Sequence, residues 1–257
     1  MLSLAPGLIR LAVLATLMGA ANACHAAPEE IQVYLDDLRA PGQLGVDVHN
    51  NFVVSGRRAA EYAGEQPPAK VYRLTPEFAY GLTSTIELGF YALSTTDAGG
   101  NFHGDGLKAR IKYIAPHDPQ AGLFWGVNLE VGRSSKRVSV NPWNAQIKGI
   151  LGYRTGPWTA VVNTNVDSSL FASAGPVTGD IDLKVNYALD AATRFGLESY
   201  NELGPLKHLS SSSENSRILF AVLDKEFGGF DLNLGLGRGM TRSADRWVVK
   251  FILGTDF

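Results

Sequence analysis

The chain has 257 residues, 45% of them hydrophobic and 19% charged, and a formal charge of −2. That is too apolar for a disordered chain and less charged than the ~25% usual in soluble domains. No clustered basic surface accompanies the near-neutral balance, which excludes nucleic acid as a partner.

Residues 1–26 read as an export signal: Arg10 near the start, an apolar run from Leu11 to Met18, then the small residues of ANACHA. Cleavage is expected after Ala26, with Ala23 as the competing position. A retained anchor and a lipoprotein modified at Cys24 are the alternatives. The mature chain then keeps no cysteine and holds 22 basic against 25 acidic side chains, a charge of −3. Something other than disulfides must hold it together. Residues 27–42 carry PEEIQVYLDDLRAPG, an acidic stretch ending in a Pro-Gly stop. It either enters a lumen as a plug, with Asp36 and Asp37 against basic residues, or lies as a periplasmic tail.

From 43 to 257 the pattern changes to alternation with period two. Candidate strands fall at 43–54, 70–82, 85–96, 104–115, 121–132, 143–154, 157–167, 179–190, 192–201, 216–226, 230–240 and 246–257, twelve in all. Short links at 83–84, 116–120, 155–156, near 191 and at 227–229 alternate with long polar ones at 55–69, 97–103, 133–142, 168–178, 202–215 and 241–245. Such asymmetry, with an even strand count, predicts an all-β fold: an antiparallel transmembrane β-barrel of 12 strands in the outer membrane. A soluble sandwich would explain the strands but not the alternating connections.

Aromatic residues support the same fold, because Tyr, Trp and Phe collect at membrane interfaces. Tyr80, Tyr113, Trp125, Tyr153, Trp158, Tyr187, Phe195, Phe230 and Phe257 stand beside the short turns, and Phe52, Tyr72, Trp143 and Trp247 toward the other rim. The final strand, RWVVKFILGTDF, puts Trp247, Val249, Phe251, Leu253 and Phe257 on one face and ends in the aromatic that resembles an outer-membrane assembly signal. Closure satisfies every backbone group without leaving an edge. Pro76 removes one ladder donor, so a bulge or weak pairing is expected beside it.

A Lys or Arg facing lipid at the midplane costs roughly 2–4 kcal/mol, which orients most strands. The expected lumen lining includes Asp47, His49, Arg73, Glu77, Glu87, Lys108, Arg110, Lys112, Glu130, Lys148, Lys184 and Lys250. Glu87 and Glu130 are expected to neutralise Lys112 and Lys108, leaving Arg110 to meet a passing anion. In strand 216–226 the phase is ambiguous: Arg217 and Lys225 favour one face, with apolar Leu219, Ala221 and Leu223 between them. With that strand included, ten basic residues oppose seven acidic ones, a small excess that predicts a mild anion preference.

The segments EEIQVYLDD, PGQLGVDVHNNF, RLTPEFAYGLT, LGPLKH and GRGMTRSADRWVVKF resemble a group of proteobacterial outer-membrane proteins related to the transporters named for the meta-cleavage pathway of phenol degradation. The resemblance spans nearly the whole mature chain. It implies a β-barrel that moves hydrophobic or aromatic compounds, and it assigns no residue roles.

The function expected is a narrow polar channel for small solutes. A non-conducting structural barrel is one alternative, and a lipid-modifying enzyme is another. Catalysis would need a nucleophile with a base, or a metal, at the bilayer surface. The mature chain offers only His49, His103, His117 and His208. His208 lies near the serines at 210–213 in a loop, His117 sits in the turn PHDPQ, and His49 beside Asp47 is either a ligand, a pH-sensitive group or a hydrogen-bonded lining residue. No catalytic residue, metal or cofactor is therefore expected. GLGRG at 235–239 lacks the spacing of a dinucleotide loop. Expected partners are outer-membrane lipids, lipopolysaccharide at the RSSKR loop (133–137), and the assembly machinery acting on Phe257.

Overall fold

The structure, a computed structural model, describes residues 30–171, 175–207 and 215–257. The expected export signal, including Cys24, and His208 with its neighbouring serines lie outside the described residues. Twelve strands follow in order: β1 (Leu44–Ser55), β2 (Tyr72–Gly81), β3 (Ile86–Thr96), β4 (Phe102–Ile114), β5 (Gly122–Ser134), β6 (Trp143–Thr155), β7 (Trp158–Ser169), β8 (Thr178–Ala188), β9 (Thr193–Pro205), β10 (Arg217–Phe227), β11 (Phe230–Gly239) and β12 (Trp247–Asp256). Each pairs antiparallel with its chain neighbours. β1 also pairs with β12, from Gly45 opposite Asp256 to Ser55 opposite Trp247, and the barrel closes.

The alternation predicts the faces because successive side chains on a strand point to opposite sides. In β4, Leu107 and Ile111 project outward, while Arg110 and Lys112 are buried inside. The exterior is a continuous apolar surface that includes Leu88, Phe90, Leu129, Val131, Leu151 and Leu197. At the short-turn end Tyr113 meets Trp125 edge-on, and Trp158 meets Tyr187 likewise, with ring centroids 4.9 Å apart. On the opposite rim Phe102 and Phe171 join Trp143, enlarging that belt beyond the expected residues. An apolar band between two aromatic belts on a closed sheet is the exterior a bilayer requires.

The tight links follow from their residues. Between β10 and β11, Gly228 and Gly229 both take positive φ (57° and 83°), the backbone a two-residue hairpin demands. Beside Pro76, the β2–β3 pairing runs from Tyr72 opposite Thr96 to Leu74 opposite Ser94 and resumes at Glu77 opposite Tyr91, which matches the weak point expected there.

β10 resolves against the charged phase. Ile218, Phe220 and Val222 face the interior, while Leu219 projects outward. Arg217 and Lys225 therefore do not line the lumen; Lys225 instead donates to Thr193 Oγ1 at 2.6 Å. The physical reason is a small apolar core inside the barrel, where Ile31, Val53, Phe220 and Val248 pack together. Glycine makes room for these inward rings: a Cβ on Gly237 would meet Phe220, and one on Gly152 would meet Phe124.

Candidate functional site

The lumen is occupied from its short-turn end by residues 30–43, which precede β1. Only its last residues pair with a strand, Gly42 and Gln43 with Gly81 of β2, and farther in its backbone groups are met by wall side chains. Asn163 of β7 accepts from the Tyr34 N–H (2.7 Å) and donates to the Tyr34 carbonyl (3.0 Å). Deeper in, Lys250 Nζ donates to the Ile31 carbonyl at 3.1 Å. Near the turns, Asp36 receives both outer nitrogens of Arg154 at 2.9 Å and lies 2.8 Å from His117 Nε2. Burial pushes the Asp36 carboxyl up, but the hydrogen bonds from Arg154 and His117 outweigh it and hold the group below the ordinary range. Arg39 reaches Asp47 of β1 (2.8 Å) and Asp256 of β12 (2.6 Å), and its backbone N–H donates to Glu87 (2.7 Å).

Tyr34 is the centre of this arrangement. Its hydroxyl lies 2.7 Å from that of Tyr91. Its ring is faced by Lys148 at 4.6 Å, Lys112 at 5.3 Å and Arg110 at 5.6 Å, distances at which a cation is attracted to the π face. Val33 and Tyr34 also pack against Ile114, Phe124, Ile150 and Val161 of the wall.

The expected lining residues all lie on the inner side, but in different roles. Arg73 is buried within the wall. Lys108 binds Glu130 at 2.9 Å, as expected. Arg110 does not stand alone: its Nε donates to Glu77 (2.6 Å) and its terminal nitrogen to Glu87 (2.7 Å). Lys112, directly opposite Glu87 in register, turns instead to Asp37 at 3.7 Å. The cause is Gly89, which sits opposite Arg110; without a side chain there, the arginine lies across β3 and reaches β2. His49 meets Glu77 at 3.2 Å. Across the barrel, Glu198 joins Lys184 (3.1 Å) and Lys250, and Lys184 also reaches Asp224 (2.9 Å). Asp47 is held by Arg39.

Asp36 does not oppose the Lys108–Lys112 row as expected, because it sits lower, where β6 ends. Arg154, Arg39, Tyr34 and Tyr91 were not among the expected residues. Arg154 shares the parity of Gln146 and Lys148 on β6, and that parity was the signal for it.

Above the segment lies a cavity of about 660 Å³, lined by Glu30, Ile31 and the upper wall. Of the expected lining residues, Lys108, Glu130 and Lys148 border it. Its polar wall carries Asp180 and Asp182, tied together by Asn165, which lies 2.7 Å from Asp182. Its other wall is apolar, formed by Ile218, Phe220 and Val248. The basic excess expected along the lumen does not extend here: among the described residues, seven carboxylates border the cavity against two lysines. Loop residues Glu61, Tyr62 and Val138 lean over it, and the two loops are joined where the Gln66 N–H donates to the Arg137 carbonyl (2.9 Å). Arg137 of the RSSKR stretch thereby turns toward its own barrel.

The same fold appears in an outer membrane channel from Pseudomonas putida F1, with a TM-score of 0.62 and 12% identity over 89% of this chain and 100% of that one. The KdgM porin gives 0.52 at 10% identity, covering 83% of this chain and 98% of that one, and the NanC porin 0.53 at 11%, covering 82% and 98%. No protein-family model and no curated protein matches the sequence. At these identities the shared property is the fold, that of bacterial outer-membrane β-barrel channels and porins.

Proposed function

We propose that the protein is an outer-membrane channel for small organic solutes and that residues 30–43 are a plug that keeps it closed at rest. The observation that carries this reading is the reciprocal pairing of Asn163 with the Tyr34 backbone, which holds the segment across the lumen beneath a cavity of about 660 Å³. Twelve strands enclose a bore between the filled barrels of about eight strands and the open porins of about 16. One short segment is enough to fill it.

The cavity suits a particular chemistry. An apolar wall at Ile218, Phe220 and Val248 faces a carboxylate-rich one at Asp180 and Asp182. A small amphipathic molecule, an aromatic ring with an uncharged or cationic polar group, fits both walls. An anion meets excess negative charge. This supports the hydrophobic or aromatic solute implied by the sequence resemblance and argues against the anionic one. Lipids and lipopolysaccharide around the barrel, and the assembly machinery acting on the strand that ends at Phe257, complete the proposed partners.

Planar-bilayer recording tests the reading. Deletion of residues 28–42 is expected to raise conductance sharply over the full chain. Equal conductance would remove the plug, and no conductance in either would favour a structural barrel.

A further inference from the structure

Three donor side chains from separate pieces of chain converge inside the barrel: Glu30 of the N-terminal segment, His49 of β1 and Glu77 of β2. One ligand atom of each lies within 4.8 Å of the others. His49 Nε2 is 3.2 Å from Glu77 Oε2 and 4.0 Å from Glu30 Oε1. In a tetrahedral site with bonds of about 2.0–2.2 Å, neighbouring ligand atoms stand about 3.3 Å apart. Of the three separations, one already has that value, a second reaches it with a side-chain shift of about 0.7 Å, and the third, between Glu30 and Glu77, lies within 4.8 Å.

The surroundings favour a cation. Metal-binding carboxylates are themselves held by hydrogen bonds. Tyr34 donates to Glu30 Oε1 at 3.0 Å, and Arg110 Nε donates to Glu77 Oε1, which leaves Oε2 turned to His49. His49 Nδ1 has no partner among the described residues, and a metal taking Nε2 displaces the proton that Nε2 otherwise shares with Glu77. Charge points the same way. Five carboxylates, of Glu30, Glu77, Glu87, Asp47 and Asp256, are in contact with two guanidinium groups, of Arg110 and Arg39, and with the one imidazole. Carboxylates thus outnumber guanidinium groups in the immediate cluster, with Lys148 and Lys112 standing farther off over the Tyr34 ring.

We propose that Glu30, His49 and Glu77 form a binding site for a divalent transition metal, with zinc the best match to one imidazole and two carboxylates. Because Glu30 belongs to the segment and the other two to the first hairpin, the bound ion fastens the segment to the wall. The latching consequence rests on the plug reading; metal binding itself does not.

The test uses the full-length barrel in detergent, stripped with EDTA and titrated calorimetrically with zinc chloride. Binding of one ion is expected, weakened more than about tenfold by Glu30→Gln or His49→Gln, since even outer-shell changes act on that scale. Glu226→Gln, at an exposed ion pair with Arg194 that touches neither the segment nor the three ligands, is expected to leave zinc affinity unchanged. Because a buried His49 variant can misfold, the wild type is also loaded with cobalt(II) and its coordination read by X-ray absorption, where one imidazole nitrogen is expected. No zinc uptake, equal affinity in Glu30→Gln, or a site without nitrogen overturns the proposal. If deletion of residues 28–42 opens the channel but zinc is not taken up, the site fails and the plug stands. If zinc binds through these ligands and the deletion changes no conductance, the plug fails and the site stands.

Discussion

Asn163→Ala isolates the hold on the N-terminal segment, because the side chain points inward and takes no part in strand pairing. It is fully buried, and both its hydrogen bonds go to the Tyr34 backbone. Truncation leaves a buried N–H and a buried C=O without partners, at about 1–3 kcal/mol each, so about 2–6 kcal/mol against the closed state. With the segment withdrawn, those groups meet water and the cost disappears; the whole amount therefore biases opening. Even about 2 kcal/mol raises the open-to-closed ratio about 30-fold. Single-channel recording at fixed low voltage measures that ratio, and unitary conductance is expected to match that of the 28–42 deletion. Asn163→Asp keeps the acceptor but loses the donor, and its open fraction should fall between the two. An Asn163→Ala barrel with native gel mobility and a wild-type open fraction would refute the reasoning.

Acid should loosen the same segment at its lower anchor. The Asp36 carboxyl is held below its ordinary 3.8, so the stabilisation is complete above that value and is lost as pH falls through the lower folded value. Open probability is expected to rise in that acid window, and to rise less in Asp36→Asn, whose clamp is already weakened at neutral pH. Asp180→Asn with Asp182→Asn removes two carboxylates from the cavity wall; reversal potentials in a salt gradient should shift away from cation preference, and an unchanged potential would exclude that wall from the conduction path. Leu129 lies mid-strand on the lipid face, opposite Ile111 and Ile147. Leu129→Lys should cost about 2–4 kcal/mol in urea refolding into vesicles, and a neutral result would mean that this face does not meet hydrocarbon.

The barrel was legible because alternation is a local property: Leu107 and Ile111 against Lys108, Arg110 and Lys112 states the two faces of β4 outright. The same logic reached Arg154 by parity, although its partner could not be read. Partner choice depends on what stands opposite. Lys112 is in register with Glu87, yet Gly89 opens a path that lets Arg110 take Glu87 and Glu77 together. β10 misled for a related reason. Both its faces are apolar, and the inner one packs with Val53 and Val248 of neighbouring strands and with Ile31, contributed by a distant segment. No strand pattern signals a side chain arriving from outside the sheet.

Arg39 bridges Asp47 on the first strand and Asp256 on the last, so a single guanidinium spans the junction where the ring is completed. The residues it belongs to run directly into β1, and they are already threaded through the hole that this junction closes. The seam and the filled bore thus share one counterion, so each stabilises the other. A chain that joined its ends with the leading segment outside would leave Asp47 and Asp256 facing each other without their counterion.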